Sequence, residues 1–141
     1  MKILIDANVA LDVLLERPEY YISGTKILGL SQGGVELFIS STTITDIYYI
    51  VRRQLKSKDE AIALLKKLLS CVNIAAVTGA EIRRAIDLEW IDFEDAVQYV
   101  AGESIPVNFI VTRNIADYAH ATIQPQYQRE KMLRKENQLK M

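Results

Sequence analysis

The sequence predicts an α/β fold, a three-layer sandwich in which a parallel sheet of four to five strands lies between helices. Four short apolar runs, at residues 2–5, 36–39, 72–77 and 108–111, have strand length and are bounded by turn- and cap-forming residues. The segments between them carry helical spacing and helix-start signals, so successive strands are joined by helical crossovers and must run parallel. At 141 residues the chain is long enough for one sheet covered on both faces, and too short for a second core.

In the first strand Ile3, Leu4 and Ile5 end abruptly at Asp6, and after Asn8 apolar residues resume at helical spacing to about residue 15. Arg17 and Pro18 break that helix. A second helix is expected over about 19–32, stopped by Gly33 and Gly34, where positive φ is available at no steric cost. After the second strand, Ser40 to Thr43 offer capping hydroxyls to a helix over about 43–55, with Ile44, Ile47, Tyr48, Val51 and Leu55 as its apolar stripe and Asp46 pointing away. Ser57 and Glu60 have capping-box spacing and open a helix to about residue 70, with Ile62, Leu65 and Leu69 inward. Thr78 and Glu81 repeat the capping box after the third strand, for a helix to about residue 89. Asp92 then caps a helix to about residue 103 whose inward stripe is Phe93, Ala96, Val97 and Val100, with Asp95 opposite. The fourth strand leads into Thr112, Arg113, Asn114 and Asp117. Residues 125–141 read as a charged terminal helix or tail of the same domain, after a short fifth strand near Ile123.

Composition narrows the function. Half the residues are hydrophobic and a quarter charged, which is globular rather than disordered. A net charge of −1 excludes a global basic field, although a basic rim beside an acidic pocket would leave the total unchanged. The single cysteine, Cys71, cannot form an internal disulfide and is expected to be buried and inert, which implies a reducing cytoplasm. No apolar run approaches the roughly 18 to 20 residues that span a bilayer, so no membrane role is expected. One histidine, His120, leaves no material for a nucleophilic triad or a soft-metal site, and there is no Gly-rich phosphate loop.

What remains is acidic. Asp6, Asp46, Asp95 and Asp117 each follow a strand or stand early in the next helix, which gathers them on the edge of the sheet where α/β proteins bind ligands. Singly, each has a structural explanation as a cap, a turn former or a residue favoured by a helix dipole. Together they repel, by roughly several kcal/mol for close pairs at an effective dielectric near 20, and a cation would offset that cost. Mg²⁺ or Mn²⁺ suits carboxylate oxygens plus waters, and a hydrated metal of this kind drives attack on phosphodiesters.

In order over about residues 2–120, the segments ILIDANVALDVLL, SSTTITDIYYIVRR, DFEDAVQYV and FIVTRNIADY resemble the PIN-domain nucleases. The resemblance implies a nuclease domain over 1–124 and a metal-dependent endoribonuclease acting on single-stranded RNA. It places metal aspartates at Asp6, Asp95 and Asp117, a further catalytic acid at Asp46, and supporting or substrate-binding roles at Asn8, Thr112, Arg113 and Asn114. Two positions depart from the family pattern. Asp46 stands where glutamate is usual, one methylene shorter, which leaves direct and water-mediated metal contact both open, and Asn114 stands where aspartate is common.

PIN domains include the ribonuclease toxins of bacterial VapBC pairs, so the same resemblance implies an antitoxin partner and a homodimer. The segments Tyr48-Tyr49-Ile50 and Leu64-Leu65-Leu68-Leu69 offer apolar surface for the second copy. Arg52, Arg53 and Arg113 are candidate RNA-phosphate contacts, and Arg129, Lys131, Arg134, Lys135 and Lys140 of the tail either add to them or keep a terminal helix soluble. A receiver domain is opposed by Val77-Thr78-Gly79 where a phosphoacceptor aspartate is needed. A haloacid dehalogenase-type phosphatase is opposed by Asn8, since that fold wants a second aspartate there. The remaining alternative is a non-catalytic PIN-like domain that binds RNA or protein, which a metal titration separates from the nuclease.

Overall fold

The computed structural model describes residues 1–113 and strand 125–126. Five strands, β1 (Lys2–Ile5), β2 (Glu36–Ser40), β3 (Asn73–Ala75), β4 (Phe109–Val111) and β5 (Pro125–Gln126), form one sheet in the order β3-β2-β1-β4-β5. Every pairing is parallel. The helices are α1 (Ala7–Leu14), α2 (Tyr21–Leu28), α3 (Ser41–Leu55), α4 (Lys58–Leu69), α5 (Gly79–Asp87) and α6 (Phe93–Ser104).

Alternation along the strands sorts the helices into two layers. Ile3, Ile5, Leu37, Ile39 and Val111 face one core, filled by Val9, Ala10 and Leu11 of α1, Ile27 of α2, Ile47 and Val51 of α3, and Leu65 and Leu68 of α4. Leu4 and Ile110 face the other, under Ala85 of α5 and Ala96, Val97 and Val100 of α6. The chain winds outward from β1 to β3 and then crosses back to place β4 on the far side of β1. That reversal makes the C-terminal ends of β1 and β4 the topological switch point, where the crossovers on either side diverge and leave a crevice.

Several expected boundaries move. Helix α3 begins at Ser41 rather than Thr43, because the buried Ser40 supplies the cap, its Oγ accepting from Thr43 N at 3.3 Å. The second helix starts two residues late and ends in a 3-10 turn over Gly29–Gly33, before Gly34 takes the positive φ of 88° that its position predicts. On α4 the buried residues are Ala61, Leu65 and Leu68, while Ile62 is half-buried and Leu69 exposed, so the inward stripe is rotated from the expected one. Strand β3 is shorter than 72–77, consistent with an edge strand paired only to β2. Cys71 is half-buried rather than buried, and desolvation raises its thiol pKa. The fifth strand lies at Pro125–Gln126, just beyond Ile123; the rest of the tail lies outside the described residues.

One close approach fixes α2 against α1. A Cβ added to Gly24 would stand 2.7 Å from Val13 Cγ2 and 3.4 Å from the Val9 carbonyl oxygen. Valine is stiff about χ1 on a helix, so it yields little, and the glycine sets the spacing of the pair. Among the described residues no helix is long and apolar enough to cross a membrane.

Candidate active site

Asp6 leaves β1 with extended backbone, at φ −69° and ψ 149°, in the N-cap position of α1. Its side chain does not cap that helix. Instead Oδ2 accepts from Thr112 Oγ1 at 2.7 Å and Oδ1 accepts from Gln98 Nε2 at 3.3 Å. Thr112 is fully buried and follows β4, so the two strand ends at the switch point are joined through a hydroxyl and a carboxylate.

Asp95 comes from α6. Asp92 caps that helix as expected, its Oδ1 accepting from Asp95 N at 3.1 Å, and this leaves the Asp95 carboxylate for other work. The side chain is buried rather than solvated, and its Oδ1 accepts from the same Gln98 Nε2 at 3.4 Å. Helix α6 is buried at every position from Asp95 to Gly102, whereas Phe93, expected inward, is 47% exposed. A helix covered on nearly all sides has no polar face to which Asp95 could be assigned.

Asp46 is half-buried on the second turn of α3, and Glu94 carries it into the group. Glu94 is exposed on the first turn of α6. Partial desolvation of its carboxyl, a hydrogen bond with Asp46, and the charges of Asp46, Asp92 and Asp6 together push its pKa up to about 7. Asp6, Asp46 and Asp95 are thus brought to one edge, with Glu94 hydrogen-bonded to Asp46 and within range of the Asp6 charge. Asn8 is exposed on the first turn of α1. Asn114, Asp117 and His120 lie outside the described residues.

The expected basic contacts divide. Arg52 and Arg53 occupy the last turn of α3, roughly 9 Å along the helix from Asp46 and away from the acidic edge. Arg113 is near the edge but engaged: its Nε lies 3.4 Å from Asp12 Oδ2, and its guanidinium sits 4.2 Å above the Tyr20 ring. Arg17 Nη1 meets the other oxygen of Asp12 at 3.2 Å.

Glu94, Gln98 and Asp12 escaped the sequence reading. A polar residue inside the apolar run 96–102, three after Asp95, was the available signal for Gln98. The lone acid inside VALDVLL was the signal for Asp12.

The donor set fits a hard divalent cation. Two buried carboxylates from different elements converge on one nitrogen, and such cations accept one or two carboxylates and keep several waters. Among the described residues no three His, Cys, Asp or Glu side chains form a complete metal-holding group, so waters, a substrate phosphate or a group outside those residues would complete the shell.

The model of the PIN domain matches residues 2–116. The chain belongs to the PIN-domain family. Solved PIN-domain structures agree in fold. VapBC2 from Rickettsia felis, bound to a promoter DNA fragment, superposes with a TM-score of 0.69 at 16% identity, covering 89% of this chain and 98% of that one. A toxin-antitoxin complex from Klebsiella pneumoniae gives 0.66 at 18% identity, covering 89% and 97%. Mycobacterium tuberculosis VapC20, described as a sarcin-ricin loop cleaving toxin, gives 0.62 at 13% identity, covering 77% and 86%. No curated protein matches the chain.

Proposed function

We propose that this PIN domain is a divalent-metal-dependent endoribonuclease acting on single-stranded RNA, the toxin of a toxin-antitoxin pair. The observation that carries the reading is the meeting of Asp6 and Asp95, both buried, at the C-terminal ends of the strands. Two adjacent buried carboxylates repel, and a cation bound between them offsets that cost.

In this reading Asp6 and Asp95 hold Mg²⁺ or Mn²⁺, with Asp117 as a third acid. When bound, the metal supplies charge stabilisation at a phosphodiester and a water of lowered pKa. Thr112 orients Asp6 by its hydrogen bond to Oδ2. Asp46 and Glu94 flank the crevice, and a carboxyl with a pKa near 7 can both release and retain a proton at neutral pH. Asn8 and Arg113, and Asn114 by the family resemblance alone, are assigned to substrate binding. Arg113 can serve there only through the part of its guanidinium not committed to Asp12 and Tyr20.

Purified protein incubated with single-stranded RNA and Mg²⁺ or Mn²⁺ is expected to cut it, and excess chelator to stop the cutting. Cleavage that persists in chelator removes the metal from the reading. Absence of both cleavage and metal binding leaves the non-catalytic binding domain. Complexes among the structural neighbours support an antitoxin partner, for which the expected sign is a small reading frame immediately upstream whose product suppresses the activity. Exposed Tyr49, Ile50 and Leu69 support a homodimer away from the acidic edge. Light scattering at tens of micromolar should then give twice the chain mass.

A further inference from the structure

Gln98 is 1% exposed, and its side-chain Oε1 has no hydrogen-bond partner among the described residues. A buried carbonyl oxygen left unmatched is a cost that methionine or leucine of similar volume would avoid. Packing alone therefore does not account for a glutamine here. What the side chain does make is a pair of contacts: Nε2 reaches Asp6 Oδ1 at 3.3 Å and Asp95 Oδ1 at 3.4 Å, and an amide nitrogen carries two hydrogens. Asp6 lies 92 residues away in the chain and Asp95 one helical turn back on α6, so one nitrogen ties the start of the first crossover to the last described helix.

We propose that Gln98 is the positioning residue of the acidic centre, an uncharged bridge that holds the Asp6 and Asp95 carboxylates at the relative position in which one divalent cation joins them. The inference rests on the metal reading above. Its chemical logic is a comparison with lysine. An ammonium at this place would draw the two carboxylates together and also neutralise them, competing with a metal for the same oxygens. An amide donates two hydrogens and leaves both charges in place. With Thr112 on Oδ2 and Gln98 on Oδ1, the rotation of the Asp6 carboxylate is fixed from both sides before any metal arrives. Outer partners that orient metal ligands in this way govern affinity without touching the ion.

The test compares the parent with Gln98→Met, which keeps length and loses the donors, and Gln98→Glu, which keeps shape and replaces the donors with a third carboxylate. Each is melted in chelator and titrated with Mn²⁺ alone by calorimetry. Gln98→Met is expected to bind Mn²⁺ about tenfold more weakly than the parent. Gln98→Glu is expected to melt below both other proteins in chelator, yet to gain more melting temperature from Mn²⁺ than the parent does. A side chain that only fills space predicts parental Mn²⁺ affinity in Gln98→Met, where volume is kept. Mn²⁺ affinity of Gln98→Met equal to the parent's overturns the proposal, as does a Gln98→Glu protein that gains less than Gln98→Met. Should Gln98→Met not fold, Gln98→Leu, which also loses the donors at similar volume, takes its place. A parent that takes up no Mn²⁺ refutes the metal reading instead. The bridge is then judged in chelator by Gln98→Met, which melts below the parent if the amide holds the two carboxylates and at or above it if the amide only leaves a buried oxygen unmatched.

Discussion

Asp6 precedes helix α1 and Asp12 lies within it, both are buried, and their described partners differ in charge. Asp12 has no exposed surface and lies between two guanidinium groups, Arg17 at 3.2 Å and Arg113 at 3.4 Å. Asp6 shares its site with a second carboxylate, Asp95, and among the described residues the Thr112 hydroxyl and the Gln98 amide, both neutral, donate to the pair. A buried carboxylate enclosed by cations is a structural tie. A buried carboxylate pair steadied by neutral donors keeps its charge available to a ligand. The contrast separates fold from site more sharply than burial does, because burial is nearly the same in both.

The largest effect that tests this contrast is on Asp12. Replacement by Ala should cost about 3 kcal/mol of folding free energy, near the lower end for breaking a buried ion pair because both arginines are partly exposed and can find water. Urea unfolding with and without chelator measures it, and the loss should be the same in both. A loss that Mn²⁺ fully restores would put Asp12 in the metal centre and erase the distinction.

Asp95→Asn should behave in the reverse way. Cleavage should fall by more than about 100-fold, the upper end of what loss of a metal's outer partners costs. The metal-free melting temperature should stay level or rise, since one of two repelling charges is gone. Mg²⁺ should stabilise the parent more than the variant, by mass action. Asp95→Ala, which also removes the side chain's packing, is the harsher control. If Asp95→Asn melts clearly lower while still cutting RNA, the residue belongs with Asp12. The neighbouring Asp92 sharpens the comparison, because its carboxylate caps α6. Asp92→Ala should lose about 1 kcal/mol of stability.

The smallest effect is the pH dependence at Glu94. Its folded pKa, about 7, lies above its ordinary 4.5, so the folded protein keeps a proton that the unfolded chain has lost. The folded state is therefore penalised as pH rises from about 4.5, and the penalty is complete once pH passes about 7. Glu94→Gln cannot titrate. In chelator, the stability of the parent relative to this variant should decline across that window and be flat above it, as read from urea midpoints at pH 5, 6, 7 and 8. A difference that grows with pH would mean Glu94 is held ionised by a cation rather than crowded by acids.

Much of the fold was legible because strands and helix starts are local. Asp6 at the end of β1 and the capping hydroxyls before α3 and α4 need no knowledge of distant residues. The phase of a helix is different. Leu69 and Phe93 belonged to plausible inward stripes yet are exposed, because periodicity gives a helix's apolar arc but not how neighbouring helices divide it. The site was legible as far as its acids follow strands, and Asp6, Asp46 and Asp95 do reach one edge. Gln98 and Glu94 were not, since their meaning lies in partners on β1 and α3. Asp12 was hidden most completely, as its partner Arg113 lies 101 residues on in the sequence. Asn114 and Asp117 stay as expectations.

The contact at Gly24 reaches further than the packing of two helices. Helix α2 begins directly after Tyr20, whose ring lies beneath the Arg113 guanidinium, and Arg113 adjoins Thr112. A methyl group at position 24 pushes on Val13 and comes within 4.0 Å of Cβ of Asp12, the residue that Arg113 pairs with. Positions 13 and 24 therefore constrain one another's size: Gly24→Ala should be tolerated only with a smaller residue at 13. In a set of sequences related to this one the two sites should vary as a pair, and a library that randomises either alone should recover mostly the starting residue.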